Sequence, residues 1–194
     1  MNYYDEFKIT VKNIDEFEFV ESEFIDCSFE GIDFQNQDLK RCKFVECQFN
    51  YCNLSNAKIS FSTFREVTFK ESKMVGLNWT TTQAISDIAF DHCKLDNSVF
   101  QGLKINGFKF INCSVINCDF SESHLQKASF KGSDLSLAQF NNANLESADL
   151  TNCSNYFINP LFTKLKKARF SFPEAISLLE AQDIKIEYSE KDII

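Results

Sequence analysis

Apolar residues recur at every fifth position along most of the chain. They form two series, separated by one extra residue after Trp79. The first series is Tyr4, Ile9, Ile14, Phe19, Phe24, Phe29, Phe34, Leu39, Phe44, Phe49, Leu54, Ile59, Phe64, Phe69, Met74 and Trp79. The second is Ile85, Phe90, Leu95, Phe100, Ile105, Phe110, Val115, Phe120, Leu125, Phe130, Leu135, Phe140, Leu145 and Leu150. A period of five fits neither an α-helix nor a flat strand, so the chain must turn once per repeat. The pattern predicts a solenoid.

The residues around each apolar centre follow the same period. All eight cysteines share the register two residues before a centre, where alanine and serine also recur. Cysteine is small and readily buried, so this register is predicted to point inward. The five glycines lie two residues after a centre, which predicts a corner of the chain there. The residue just before a centre is mostly polar and is expected to face solvent.

This pattern resembles that of the pentapeptide-repeat proteins. The stretch ASFKGSDLSLAQFNNANLESADLTN at residues 128–152 shows it most plainly, and the resemblance covers about residues 4–155. It implies an all-β solenoid, a right-handed quadrilateral β-helix in which four pentapeptides make one coil of twenty residues. From Phe90 to Leu145 the centres alternate between phenylalanine and aliphatic residues, which independently favours two opposite aromatic walls. At a strand spacing of roughly 4.8 Å the rod would be roughly 36 Å long.

The repeat is interrupted once and then fades. Residues 1–155 are predicted to form the β-helix, with a register slip at residues 80–89. The slip fits either a one-residue bulge or a longer extruded loop. The residues of this bulge or loop are Trp79, Thr80, Thr81, Thr82 and Gln83. Residues 156–194 are predicted to form a C-terminal cap and dimerisation module.

The C-terminal region is predicted to contain a helix at residues 173–182 and a short strand at residues 184–188. Pro173 suits the first turn of a helix, and Glu174 complements the helix dipole there. A helix with so narrow an apolar stripe must dock on the last coil, on a second protomer, or on both. The candidate dimer-interface residues are Ile176, Leu178, Leu179, Ile184 and Ile186.

The C-terminal segment FSFPEAISLLEAQDIKIEY is similar to the end of the Qnr-type quinolone-resistance proteins. The resemblance implies a homodimer that imitates duplex DNA, binds type II topoisomerases such as DNA gyrase or topoisomerase IV, and protects them from fluoroquinolones. Qnr proteins of Gram-negative bacteria carry two projecting loops. This chain departs from that pattern, since it has room for at most one loop, at residues 80–89.

The net charge of −8 is concentrated at the N-terminal end. Residues 1–50 carry 12 acidic and 5 basic residues, whereas residues 51–100 carry 5 of each. These carboxylates, Asp5 and Glu6 among them, fall almost entirely outside the inward registers. They either keep a phenylalanine-rich rod in solution or stand in for phosphates in a basic groove. The candidate partner-binding residues are Asp15, Glu16, Glu18, Glu21, Glu23, Asp26, Glu30, Asp33 and Asp38.

The sequence offers little support for catalysis or cofactor binding. No glycine-rich phosphate loop occurs, and an acidic chain is a poor direct binder of nucleic acid. His92 and His124 lie in outward registers, and Cys42, Cys47 and Cys52 would point to different walls, which disfavours a nucleophilic pair and a zinc site. We therefore expect no enzyme activity, cofactor, metal or small-molecule substrate.

The N-terminal sequence lacks the pattern of a signal peptide, and no apolar run reaches membrane-spanning length, so a cytoplasmic location without membrane association is expected. The leading hypothesis is a non-enzymatic DNA mimic that binds type II topoisomerase and modulates it or protects it from fluoroquinolones. The alternative is an interaction scaffold with a different protein partner and no topoisomerase role.

Overall fold

Short strands alternate with turns through the whole rod. The computed structural model describes residues 2–182 and residue 184. The strands are β1 Tyr3–Asp5, β2 Lys8–Thr10, β3 Glu23–Ile25, β4 Ser28–Glu30, β5 Lys43–Val45, β6 Gln48–Asn50, β7 Thr63–Arg65, β8 Thr68–Lys70, β9 Ala84–Ser86, β10 Ala89–Asp91, β11 Lys109–Ile111, β12 Asp149–Leu150 and β13 Arg169–Phe170. Three 3-10 helices span Ile14–Glu16, Trp79–Thr81 and Glu174–Ile176, and an α-helix spans Ser177–Glu180.

The strands pair in parallel, one coil upon the next. β1, β3, β5, β7 and β9 form one sheet, and β2, β4, β6, β8, β10 and β11 form a second. Phe24 pairs with Phe44 and Phe29 with Phe49, so equivalent positions lie twenty residues apart. Isolated parallel bridges continue this pairing on the other two sides. The result is a parallel β-solenoid of about eight turns, and the predicted fold class is confirmed.

Four walls are defined by their stacked apolar centres. Wall 1 contains Tyr4, Phe24, Phe44, Phe64, Ile85, Ile105, Leu125 and Leu145. Wall 2 contains Ile9, Phe29, Phe49, Phe69, Phe90, Phe110, Phe130 and Leu150. Wall 3 contains Ile14, Phe34, Leu54, Met74, Leu95, Val115 and Leu135. Wall 4 contains Phe19, Leu39, Ile59, Trp79, Phe100, Phe120 and Phe140.

The predicted inward registers form the core. Nearly all the centres are buried, and so are all eight cysteines. Each cysteine Sγ that reaches a carbonyl of the preceding coil donates a hydrogen bond there, as Cys118 does to the carbonyl oxygen of Leu95 at 3.1 Å. Apolar burial combined with paired polar atoms explains why one small residue type recurs in this register.

The aromatic columns change walls halfway along the rod. From Phe90 to Phe140, stacked rings fill walls 2 and 4, which face each other; Phe110 and Phe130, for example, lie 4.8 Å apart. The prediction of two opposite aromatic walls is therefore confirmed for this half. In the N-terminal half the columns occupy walls 1 and 2, which are neighbours, and Phe24 stacks on Phe44 at 5.4 Å. Trp79 begins the wall 4 column by stacking on Phe100 at 5.7 Å.

Both ends of the rod carry structures that cover the core. At the N-terminal end, Phe17 is buried with its ring against Tyr4 at 5.0 Å and Phe7 at 5.4 Å. At the other end, β13 pairs with β12, so the coil pairing continues past residue 155. The Ser177–Glu180 helix follows, and its Leu178 packs against the core cluster. Covered ends protect a solenoid from adding further chains.

Candidate functional site

The nine candidate acidic residues all lie on the surface of the N-terminal coils. None of them is buried. Several pair with the neighbouring coil, as Glu21 does with Arg41 and Glu23 with Lys43. A backbone hydrogen bond from Lys40 is the main cause that holds the pKa of Asp38 below its ordinary value. Part of the predicted acidic surface is thus neutralised by its neighbours in the same rod.

A more regular acidic feature lies along the corner between walls 1 and 2. Five exposed carboxylates occupy the same corner position on successive coils. We name this row the acidic edge; it consists of Glu6, Asp26, Glu46, Glu66 and Asp87. All five have a positive φ between 47° and 59°, the conformation that turns the chain from one wall to the next. At roughly 4.8 Å per coil the row spans about 19 Å.

Backbone pairing fixes the alignment of the acidic edge. The corner N–H of Glu6, Asp26, Glu46 or Glu66 donates to a carbonyl of the next coil, such as Glu46 to Arg65 at 2.9 Å. Arg65 is the one cation within 4.0 Å of an edge carboxylate among the described residues, next to Glu66. Beyond Asp87 the same corner carries Gly107, Lys127, Ser147 and Lys167, so the acidity ends there.

Sequence reasoning identified only part of this row. Asp26 belongs to the candidate set and Glu6 was expected on the surface, but Glu46, Glu66 and Asp87 were outside the set. Counting charge by stretches of fifty residues hides the last two, because lysines in other registers balance them. Reading the residue two positions after each wall 1 centre would have found all five.

The slip at residues 80–89 lengthens one coil by a single residue. Thr63 pairs with Ala84 and Asn78 with Val99, each 21 residues apart. The Trp79–Thr81 helix takes up the extra residue; Asn78 caps it by accepting a hydrogen bond from the Thr80 N–H. Trp79 is fully buried, whereas Thr80, Thr81 and Gln83 are exposed. The segment stays close to the rod and forms a bulge.

The candidate dimer residues face different environments. Leu178 contacts the core cluster and covers the end of the rod. Leu179 and Ile184 are exposed, and Ile176 is half-buried. Ile186 and the predicted strand at residues 184–188 lie outside the described residues, apart from residue 184. The tail therefore offers one apolar side chain to the rod and at least two to solvent.

The chemistry-bearing side chains are separated or buried. Burial raises the pKa of Cys42, Cys118 and Cys153 to about 12, which keeps these thiols protonated and unreactive at neutral pH. His92 contacts Asp91 on the surface at 2.8 Å. Among residues 2–182 and 184, no cluster of three or more His, Cys, Asp or Glu side chains is arranged to hold a metal ion.

No helix in the described part of the chain is long and apolar enough to span a membrane.

The sequence profile of the Pentapeptide repeat region family matches residues 17–100 and 84–150. The chain belongs to the pentapeptide-repeat family. Its solenoid resembles the Qnr fold in particular.

Two solved structures of QnrB1, described as a plasmid-mediated fluoroquinolone resistance protein, show this resemblance. Both come from trypsin-treated variants of that protein. Each has a TM-score of 0.60 and 17% identity over 96% of this chain, and the match covers 98% and 99% of the two QnrB1 chains. HetL from the cyanobacterium Nostoc matches at a TM-score of 0.30 and 12% identity, over 82% of this chain and 92% of its own. A comparison of the sequence with curated proteins finds no significant match.

Proposed function

We propose that this protein binds a type II topoisomerase, DNA gyrase or topoisomerase IV, in the cytoplasm by imitating part of the duplex DNA surface. Binding would modulate the enzyme or protect it from fluoroquinolones. The protein would act without catalysis of its own, because its interior is filled with side chains and its thiols are buried. The acidic edge is the observation that carries the proposal.

The charge spacing of the acidic edge supports mimicry of one DNA strand. Duplex DNA carries one phosphate per roughly 3.4 Å on each strand. The edge presents one carboxylate per roughly 4.8 Å along a straight corner. A groove that binds phosphates through lysine and arginine would meet a straight row of anions spaced about 1.4 times as widely as the phosphates of one strand. Only one cation, Arg65, lies near these exposed carboxylates among the described residues, so few ion pairs within the rod would have to break when a basic partner binds.

The position of the edge sets the orientation of binding. All five carboxylates lie in the N-terminal half, and the same corner carries Lys127 and Lys167 in the C-terminal half. The N-terminal half would therefore enter the basic groove. A homodimer joined through the exposed Leu179 and Ile184 would direct one acidic half toward each end. The likeness to QnrB1, itself a fluoroquinolone resistance protein, supports topoisomerase as the partner.

A supercoiling assay with purified gyrase and ciprofloxacin tests the proposal. We expect the protein to inhibit supercoiling or to reduce the effect of ciprofloxacin. The double variant Glu46→Gln/Glu66→Gln should weaken this effect about tenfold, since two surface charge contacts contribute together roughly 1.4 kcal/mol.

Glu71→Gln/Glu122→Gln is the matched control for this double variant. Both control residues are exposed corner glutamates with positive φ, on other edges of the rod. The control should behave as wild type. Absence of any effect of the wild-type protein at tens of micromolar would reject topoisomerase as the partner.

A second candidate is a scaffold for a different protein partner. Four large apolar side chains are exposed by 60–75% near the C-terminal end, on the two corners that border wall 4: Leu137, Phe157, Leu161 and Phe162. Exposed apolar groups of this size are typical of protein contact surfaces. A pull-down from cell extract discriminates the two candidates. If the protein binds a topoisomerase, gyrase subunits should dominate the captured proteins. If it is a scaffold, a different protein should dominate, and Phe162→Asp should abolish its capture.

A further inference from the structure

A gap in the hydrogen-bond ladder crosses wall 1 at the slip. Everywhere else on this wall, backbone hydrogen bonds link one coil to the next. They come from the N–H of the apolar centre, from the N–H of its corner residue, or from the pairing of strands. Among the described residues, no backbone hydrogen bond joins residues 80–87 to residues 101–107. We name this gap the slit. β9 forms its lower lip and is the last strand of its sheet.

The same wall one coil later shows what is missing. There Ile105 N–H donates to His124 O at 2.9 Å, Gly107 N–H to Gln126 O at 2.9 Å, and His124 N–H to Leu103 O at 2.8 Å. The equivalent donors at the slit are the N–H groups of Ile85, Asp87 and Lys104. None of these three N–H groups has a backbone acceptor across the slit.

The lower lip stays bound to the coil beneath it. Gln83 N–H donates to Ser62 O at 2.9 Å, and Glu66 N–H donates to Ser86 O at 3.0 Å. Thr81 and Thr82 direct their N–H groups into the 3-10 turn, to Asn78 O and Trp79 O. The backbone of this segment is therefore hydrogen-bonded to the coil below and within its own turn, but not to the coil above.

The other three walls remain closed at this level. β10 pairs with β11 on wall 2, and the bridges Lys94–Ser114 and Val99–Asp119 close walls 3 and 4. Across the slit, Ile85 and Leu103 are only half-buried, although both pack against the core. Two coils that are joined by backbone hydrogen bonds on three walls but not on the fourth bend most easily by widening or narrowing the gap on the fourth wall.

Two further features change at the same level. The acidic edge ends at Asp87, on the lower lip, and the aromatic column moves from wall 1 to wall 4 at Trp79 and Ile85. We infer that the slit is a bending joint between an acidic N-terminal half-rod and a C-terminal half-rod. The joint changes the direction in which the acidic edge points while each half keeps its stacked core. It is independent of the topoisomerase proposal.

Amide hydrogen exchange on the wild-type protein tests whether the ladder is open. The amides of Ile85, Asp87 and Lys104 should exchange at least about 100-fold faster than those of Ile105, Gly107 and His124, which occupy the same positions one coil later. Equal protection of the two sets would overturn the inference, because the ladder would then be closed in solution.

Deletion of Gln83 supplies a variant with a closed ladder. It restores a twenty-residue coil and places Thr82 in the inward register that Thr163 occupies on the same wall, where the Thr163 hydroxyl donates to Phe140 O. Exchange at the three amides should then slow to the level of the control set. Unchanged exchange in a folded deletion variant would contradict the assignment of the slit to the extra residue.

Distances between spin labels test the bending itself. The cysteine pairs Glu46→Cys/Lys127→Cys and Glu6→Cys/Asp87→Cys each span four coil steps on the same corner, about 19 Å. Only the first pair crosses the slit, and the eight native thiols are buried. The crossing pair should give the broader distance distribution, and deletion of Gln83 should narrow it. Equal widths for the two wild-type pairs would refute the joint.

Discussion

Replacing Gly132 with alanine tests the stacking of successive coils at a corner. Gly132 has a φ of +73°, and a Cβ added there would overlap the Oδ1 of Asn112, which lies one coil earlier on the same corner. Gly107 has the same φ of +73°, but an added Cβ would meet no atom within 4 Å. The two glycines therefore separate backbone strain from steric overlap.

The expected magnitudes follow from these two terms. Gly107→Ala should cost about 1–2 kcal/mol, the penalty for a side chain in the left-handed region. Gly132→Ala adds about 0.5–1.5 kcal/mol, because Asn112 must leave its preferred rotamer. In an Asn112→Gly background the additional cost should disappear, since the overlapping atom is gone. Each kcal/mol should lower Tm by about 2–4 °C for a chain of this size.

Urea unfolding followed by the emission of Trp79 measures all four variants. Equal losses of unfolding free energy for Gly132→Ala and Gly107→Ala, or a difference that an Asn112→Gly background leaves unchanged, would refute the predicted overlap. Either result would mean that residues 112 and 132 do not stack. The twenty-residue coil would then be wrong at this corner.

Three further predictions concern the core, the slip and the tail. Burial raises the pKa of Cys42, Cys118 and Cys153 to about 12. As the pH rises, these thiols therefore ionise in the unfolded chain before they ionise in the folded protein. The free energy of unfolding should fall between pH 9 and 12, by about 1.4 kcal/mol per thiol at pH 10. Urea unfolding at pH 8 and 10 measures this loss of stability. A variant with alanine at all three positions should lose the part of the pH dependence that the three thiols cause. An unchanged pH dependence in that variant would exclude the thiols as its cause. Trp79 is fully buried, so acrylamide should quench its emission weakly, and strong quenching would show an extruded segment. Leu179→Asp should convert dimers to monomers in light scattering, because Leu179 is exposed on the tail helix, and an unchanged dimer mass would place the interface elsewhere.

The periodic part of the fold was predictable because buried positions must be apolar or small, and this requirement recurs every five residues in the sequence. A centre such as Phe110 must be apolar on every coil, and the register of Cys113 must be small, whatever the surface carries. Breaks in the pattern were harder to read. Leu165 and Phe170 continue walls 1 and 2 beyond the residue at which the sequence pattern fades, because pairing to Leu145 and Leu150 needs only backbone groups and two apolar side chains.

The acidic edge was predictable only in part, for a geometric reason. Glu6, Asp26, Glu46 and Glu66 are twenty residues apart, but Asp87 follows Glu66 by 21. Aligning the fifth carboxylate requires knowing which coil holds the extra residue and where it is accommodated. The pattern locates the extra residue between Trp79 and Ile85. It does not show that the segment pairs with the coil below and leaves the coil above unpaired.

The most direct test of the account is competition between this protein and duplex DNA for purified gyrase. Wild-type protein, Glu46→Gln/Glu66→Gln and Glu71→Gln/Glu122→Gln would be titrated against a labelled DNA–gyrase complex at two salt concentrations. We predict that wild type and the Glu71/Glu122 variant displace DNA equally, with displacement weakening as salt rises, and that the edge variant is about tenfold weaker. Equal displacement by all three proteins, or none by the wild type, would contradict the acidic edge as the recognition surface.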